Sequence, residues 1–156
     1  MPPWADDDSA GRQRRPPPPG YRLIWSAPPV EDYLRLRVAA GLSPRTREQA
    51  VPAVAGGWAA CHVVHDSTDE VVGMGRLIGD GGWYFHVVDM AVIPEHQRRG
   101  LGDLVLGSLL DLIQATAPPN PYVTLLADPP GRRLYERHGF TQTAPDSVGM
   151  VLRSKR

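Results

Sequence analysis

Lysine is almost missing from this 156-residue chain: of seventeen basic side chains sixteen are arginine, and Lys155 stands alone. Cysteine is as scarce. With Cys61 as the single thiol there is no internal disulfide framework, which fits a reducing cytoplasm. Net charge is also lacking, 17 acidic residues facing 17 basic ones, and with it the electrostatic signature of a general nucleic-acid or membrane-surface binder. No apolar run approaches the length that crosses a bilayer, and the N-terminus has no hydrophobic signal core. Internal repeats are absent as well. What is plentiful is alanine, glycine and proline, and with the arginine bias this points to a GC-rich, bacterial source. The length suits one domain with a proper core.

Residues 1–20 read as a disordered tail, in which an acidic triplet, three arginines and Pro16–Pro19 offer too little apolar surface to offset ordering. The folded domain is expected over residues 21–156. Tyr21 to Ser26 is a first strand and Val30 to Ala40 a helix, broken by Gly41-Leu42-Ser43-Pro44. Thr46 caps a second helix that Pro52 is expected to shorten or kink. Trp58 to His65 and Glu70 to Ile78 form a hairpin about Asp66–Asp69. Gly79–Gly82 is a further turn, and Trp83 opens a central strand. Alternation along that strand places His86, Val88, Met90 and Val92 on one face and Asp89 on the other, unless a bulge intervenes. A helix runs from Leu101 to about Thr116. A buried apolar strand over Tyr122 to Ala127, a short helix from Arg132 to Arg137 closed by Gly139, and a terminal hairpin over Phe140–Ala144 and Val148–Arg153 complete the chain.

The central stretch is Asp89 to Gly102. An apolar strand ends at Pro94, which cannot donate to a sheet ladder, and a glycine-containing turn then opens the long helix. The first amides of that helix have no internal partner and sit at a positive dipole end worth about half a charge. Gly100 and Gly102 allow close approach of a ligand, and Arg98 and Arg99 add charge, so the turn is a ready anion site.

The spacing Gln97-x-x-Gly100-x-Gly102 after a strand resembles the acetyl-CoA loop of the GNAT acetyltransferase superfamily. Arg133-Leu134-Tyr135-Glu136-Arg137-His138-Gly139-Phe140 resembles that family's second landmark. Together they cover roughly Tyr21 to Arg153. The resemblance implies an α/β GNAT fold, with a mixed, mostly antiparallel central sheet and helices on both faces. It also implies acetyl-CoA as co-substrate and no metal, with CoA contacts at Met90, Ala91, Val92, Gln97, Arg98, Arg99, Gly100, Leu101, Gly102, Asp128, Arg132 and Tyr135. Asp128 departs from the family's asparagine, and when ionised it cannot donate a hydrogen bond. Gly131 stands where alanine is usual.

Acetyl transfer needs a held thioester, a polarised carbonyl, a neutral amine and a proton for the departing thiolate. By resemblance Tyr135 supplies the proton, and its ordinary pKa of about 10 keeps it protonated. His86 is a candidate base because histidine titrates near neutral pH, and it precedes Val92 by the six residues at which several GNAT enzymes carry a base. Asp89 is the rival, since a carboxylate inside an apolar strand requires a partner, a water chain or a substrate ammonium. A water relay with no side-chain base is the third possibility. Leu36, Gly41, Leu42 and Ser43 are pocket candidates by resemblance. Trp83, Tyr84 and Phe85 offer an aromatic wall beside His86, or are sheet core and surface. His62 and His65 lack a companion ligand cluster for a metal, and Cys61 reads as a core residue.

The expected activity is therefore acetyl transfer from acetyl-CoA to a primary amine of a small molecule, in the cytoplasm; members of the family are commonly dimers, so the resemblance leaves a homodimer open. The stretch from Gly75 to Phe85 resembles small bacterial members of the family. The alternatives are a protein or peptide N-acetyltransferase with an open groove, and a non-catalytic acyl-CoA sensor or interaction module.

Overall fold

The computed structural model describes residues 15–154, so the expected tail up to residue 14 lies outside the described residues. Two contacts are described within residues 15–20. The Arg15 guanidinium pairs with Asp111 at 2.7 Å, and the Pro18 carbonyl accepts from Tyr21 N. The chain divides into two compact units, one ending at Leu125 and one starting at Leu126.

In the first unit the elements are β1 (Tyr21–Ile24), α1 (Val30–Ala39), α2 (Arg47–Gly56), β2 (Ala59–His65), β3 (Glu70–Gly79), β4 (Tyr84–Val92), α3 (Leu101–Thr116) and β5 (Tyr122–Leu125). Thr46 starts α2 with a reciprocal cap: its Oγ1 accepts from Gln49 N and Gln49 Oε1 accepts from Thr46 N. That start is firm enough for the helix to continue past Pro52, where a shorter helix was expected, at the loss of one backbone bond. The sheet order is β1-β2-β3-β4-β5, antiparallel except for the parallel pair β4–β5.

Neighbouring residues of β3 show how the two faces are used. A Cβ on Gly75 would lie 2.6 Å from both Met90 Sδ and Val105 Cγ1, so this face is pressed against α3. Arg76 points the other way, and its Nη1 reaches the Ala53 carbonyl of α2 at 2.5 Å. The buried stripe of α3 includes Leu101, Leu104, Val105, Leu109, Leu112 and Ile113, at the spacing expected of it.

The pairing of β3 with β4 carries an irregularity that shapes everything beyond it. Met74 faces Ala91, yet Arg76 faces Val88, so β4 holds one extra residue opposite Gly75. The bulge centres on Asp89, whose φ of 56° lies in the left-handed region that aspartate tolerates better than most residues. Strict alternation therefore fails. Val88 and His86 pair with Arg76 and Ile78 on the α1–α2 face, and Asp89 reaches Arg76 on that same face. Met90, against Gly75, lies on the α3 face, and Val92, whose Cγ2 lies 3.5 Å from the Cβ position of Gly73, lies there too. The expected single face of His86, Val88, Met90 and Val92 is thus split in two, and Asp89 joins His86 where it was expected to oppose it.

β5 is shorter and less buried than its apolar sequence suggests. It ends at Leu125, and Tyr122 and Leu126 are exposed, because β5 is the last strand of the described sheet.

The second unit holds α4 (Arg132–Arg137), closed as expected by Gly139 at φ 90°, with Phe140 N donating to the Tyr135 carbonyl. The terminal hairpin is not formed. Thr143 and Ser147 close a turn through two hydrogen bonds, but residues 141–154 contain no strand, and Val148, Met150, Val151 and Leu152 are exposed. Alternation supplies a strand pattern; a ladder also needs a partner edge in register.

Candidate functional site

The strand that carries the site parts from its neighbour halfway along. The last β4–β5 rung is Val87 with Leu125, and β4 then runs on from Val88 to Val92 without β5 beside it. Met90, Ala91 and Val92 lie on this splayed stretch. Gln97 ties the next turn back to it, its Nε2 donating to the Val92 carbonyl at 2.9 Å. His96 is fixed from the side, its Nδ1 lying 2.7 Å from the Tyr21 hydroxyl.

Between Gln97 and Leu101 the chain passes through two left-handed residues, Arg98 at φ 59° and Gly100 at φ 82°. Gly100 is the N-cap of α3 and offers no capping side chain. The N-terminal end of this sixteen-residue helix lies next to the exposed Arg98 and Arg99. The two left-handed residues fall in the stretch where the sequence expected an anion cradle.

On the opposite face Asp89 is the hub of a buried polar network. Its Oδ1 accepts from Arg37 Nη1 at 2.5 Å, and its Oδ2 accepts from Arg76 Nε at 2.7 Å and from the Tyr33 hydroxyl at 2.9 Å. Arg37 is itself anchored on the Ser43 carbonyl and hydroxyl. Both guanidiniums lie about equally close to the Tyr33 ring, at 6.0 and 5.8 Å from its centroid. Burial, and then the bond to Asp89, push the Tyr33 phenol upward. Asp89 was expected to need a partner, and it has three. Both carboxylate oxygens are engaged, and the three bonds hold this residue at the centre of the bulge.

His86 sits elsewhere on that face. Its Nδ1 lies 2.8 Å from Thr124 Oγ1, across the rung next to the point where the strands part. Burial lowers its pKa below the usual histidine value, which favours the neutral imidazole.

The expected pocket residues separate. Leu36 is core, with no exposed surface. Ser43 is spent holding Arg37, and Leu42 beside it is half-buried. Of the aromatic wall, Phe85 is fully buried against Trp58, with ring centroids 4.8 Å apart. Trp83 and Tyr84 are exposed, and their third member is Tyr122 of β5, 5.4 Å from Tyr84. Asp80 fixes the turn before them by accepting from the amides of Gly82, Trp83 and Tyr84, bonds that lower its pKa.

In the second unit, Tyr135 is half-buried on α4. Its phenol is pushed above the ordinary tyrosine value, by burial first and by the charge of Asp128 second. A Cβ on Gly131 would lie 2.9 Å from the ring, which accounts for glycine at that position. Asp128 precedes the turn at Pro129–Gly131, and Arg132 opens α4 and is exposed.

Cys61 is buried, and burial pushes its thiol up to about 12, which removes it as a nucleophile. His62 Nδ1 meets the Ser26 carbonyl at 2.8 Å, and His65 meets Thr68. Among the described residues there is no cluster of three metal-ligating side chains, and no helix is long and apolar enough to cross a membrane.

Sequence reasoning missed Tyr33, Arg37, Arg76 and Thr124. Arg76 was detectable: an arginine inside Gly73-Met74-Gly75-Arg76-Leu77-Ile78 is as anomalous as Asp89 inside its own strand, and the two anomalies answer each other.

A family model for the GNAT acetyltransferase domain matches residues 57–142, more than half the chain. A solved structure from meticillin-resistant Staphylococcus aureus, of a protein of unknown function and probable acetyltransferase, shares 36% identity. It has a TM-score of 0.81 over 86% of this chain and 99% of that one. A GNAT family acetyltransferase from Streptococcus pneumoniae shares the fold, with a TM-score of 0.68 at 24% identity over 87% of this chain and 99% of that one. The uncharacterized N-acetyltransferase ycf52 of Porphyra purpurea is 30% identical over 54% of this chain and 47% of its own length. The chain thus spans about half the length of the curated relatives it matches. On the family model and the 36% identical structure, the chain belongs to the GNAT acetyltransferase family.

Proposed function

We propose that this protein transfers an acetyl group from acetyl-CoA to a primary amine of a small molecule by direct attack. The observation that carries this reading is the left-handed Gly100 turn at the head of α3, together with the end of β4 that runs on past its last rung with β5. In this reading the amides from Arg98 to Gly102 grip the pyrophosphate, and the main chain of Met90 to Val92 takes the pantetheine arm. Tyr135, assigned by its motif, protonates the departing thiolate. His86 is the base, since a neutral imidazole can accept the ammonium proton. The exposed Tyr84 and Tyr122, on the strands that carry His86 and Thr124, and Trp83 just before β4 favour an acceptor with an apolar or aryl body. A bacterial cytoplasm is the setting we assign to it, and a homodimer its form.

Two expected results follow for the loop and the base. Gly100→Ala places a Cβ in the left-handed region, at a strain of about 1–2 kcal/mol. The turn relaxes and tilts its amides away, so calorimetry should show acetyl-CoA affinity reduced about tenfold. Acetyl-pantetheine, which has no pyrophosphate, should bind as before. For the base, kcat should rise with pH along an acid limb below pH 6.5, since the His86 pKa is lowered and the neutral form is the active one. His86→Ala should lose that limb; an unchanged profile and rate would remove His86 as the base and leave a water relay.

A further inference from the structure

We propose that Thr124 is a positioning residue that holds the His86 imidazole in the tautomer with its proton on Nδ1, leaving the Nε2 lone pair for the acceptor amine. The inference rests on the reading of His86 as the base.

A neutral imidazole has one N–H and one lone pair, and whichever nitrogen bonds a neighbour decides what the other can do. His86 Nδ1 lies 2.8 Å from Thr124 Oγ1, so this bond decides. The threonine hydroxyl has one proton of its own to place. Its remaining neighbours are the Phe85 carbonyl and the Tyr84 hydroxyl, both at 3.4 Å. A carbonyl can only accept. With the Thr124 proton turned to Phe85 O, Oγ1 is left to accept from Nδ1–H, and the relay reads Nδ1–H to Oγ1–H to the Phe85 carbonyl.

Position supports the same assignment. His86 and Thr124 face each other across a rung of the parallel pair, immediately before Val87 and Leu125, where β4 and β5 part. A cross-strand pair has its side chains on one face at short range, so the ring is held from the strand beside it. When the base takes a proton from the ammonium at Nε2, the Nδ1–H bond to Oγ1 is already made, and the imidazolium that forms needs no rearrangement. Without the hydroxyl, the ring reverts to the tautomer that free histidine prefers, with Nε2 carrying the proton and unable to act as base.

The test reads the tautomer directly. Two-bond proton–nitrogen correlation spectra of the nitrogen-15-labelled full chain, with the His86 signals assigned by their loss in His86→Ala, should show Nδ1 protonated and Nε2 bare at pH 7. Thr124→Val, of equal shape and good strand propensity, should move the proton to Nε2. It should also lower kcat on the order of tenfold, part of the 10²–10⁴ that a placed base supplies, with the acetyl-CoA KM unchanged. Thr124→Ser should restore both. A wild-type spectrum with the proton on Nε2 overturns the inference, and so does a Thr124→Val protein with unaltered tautomer and kcat. If His86→Ala keeps the full rate, the base reading falls, while the wild-type spectrum still decides the Thr124 bond on its own.

Discussion

Replacing Asp89 by alanine should destabilise the fold by about 3–5 kcal/mol, the loss expected when one member of a buried ion network is removed and its partners are stranded. Arg37 and Arg76 would be left facing each other across Tyr33 with no carboxylate between them. For a chain of this size that corresponds to a fall in Tm of roughly 10–15 °C. Asp89→Asn keeps an oxygen for Tyr33 and a side chain that tolerates positive φ, so it should cost clearly less. Thermal and urea melts of the two variants separate the charge from the backbone conformation. The effect should extend to function, because the bulge at Asp89 turns Met90 and Val92 onto the face of α3. In Asp89→Asn, which folds, the acetyl-CoA KM should rise as the bulge loosens. A variant with unchanged melting and unchanged KM would show that the network does not hold the bulge.

Tyr135→Phe should lower kcat on the order of 10²-fold or more, the scale of a general acid placed at the leaving group. The substitution keeps the ring that packs on Gly131 and Phe140, so α4 should fold as before and acetyl-CoA should bind with little change. The sign of the pH dependence follows from the upward shift of the phenol. A group whose pKa exceeds the usual value of about 10 stays protonated through neutral pH, so the acid role imposes no fall in kcat below that value. Steady-state kinetics with both substrates varied separates the lost proton from lost binding. A rate equal to wild type would remove Tyr135 from the chemistry.

What the sequence made legible and what it hid divide along one physical line. α3 was readable because Leu101, Leu104, Val105, Leu109, Leu112 and Ile113 repeat at helical spacing, and the cap of α2 because Thr46 and Gln49 form a local reciprocal pair. The Gly100 turn was readable because a glycine between a strand end and a helix start marks a backbone need. The bulge was not. It is fixed by the absence of a side chain at Gly75, by Met90, and by two arginines from α1 and β3, and no local period records such a meeting. Asp89 was singled out as an anomaly, yet its partners lie 13, 52 and 56 residues away in the chain. Thr124 was hidden for the same reason: a threonine in an apolar strand means little until its register with His86 is known. The terminal hairpin shows the converse, a strand pattern over Val148 to Leu152 without a ladder.

The measurement that tests the account most directly is thiol release from acetyl-CoA across a panel of aryl-alkyl amines, polyamines, amino sugars and lysine peptides, with wild type run beside Tyr135→Phe. The account predicts release that depends on a small amine, is weak with the peptides, and collapses in the tyrosine variant. Acetyl-CoA bound by the wild type with release that no amine stimulates, or release identical in the two proteins, would contradict it.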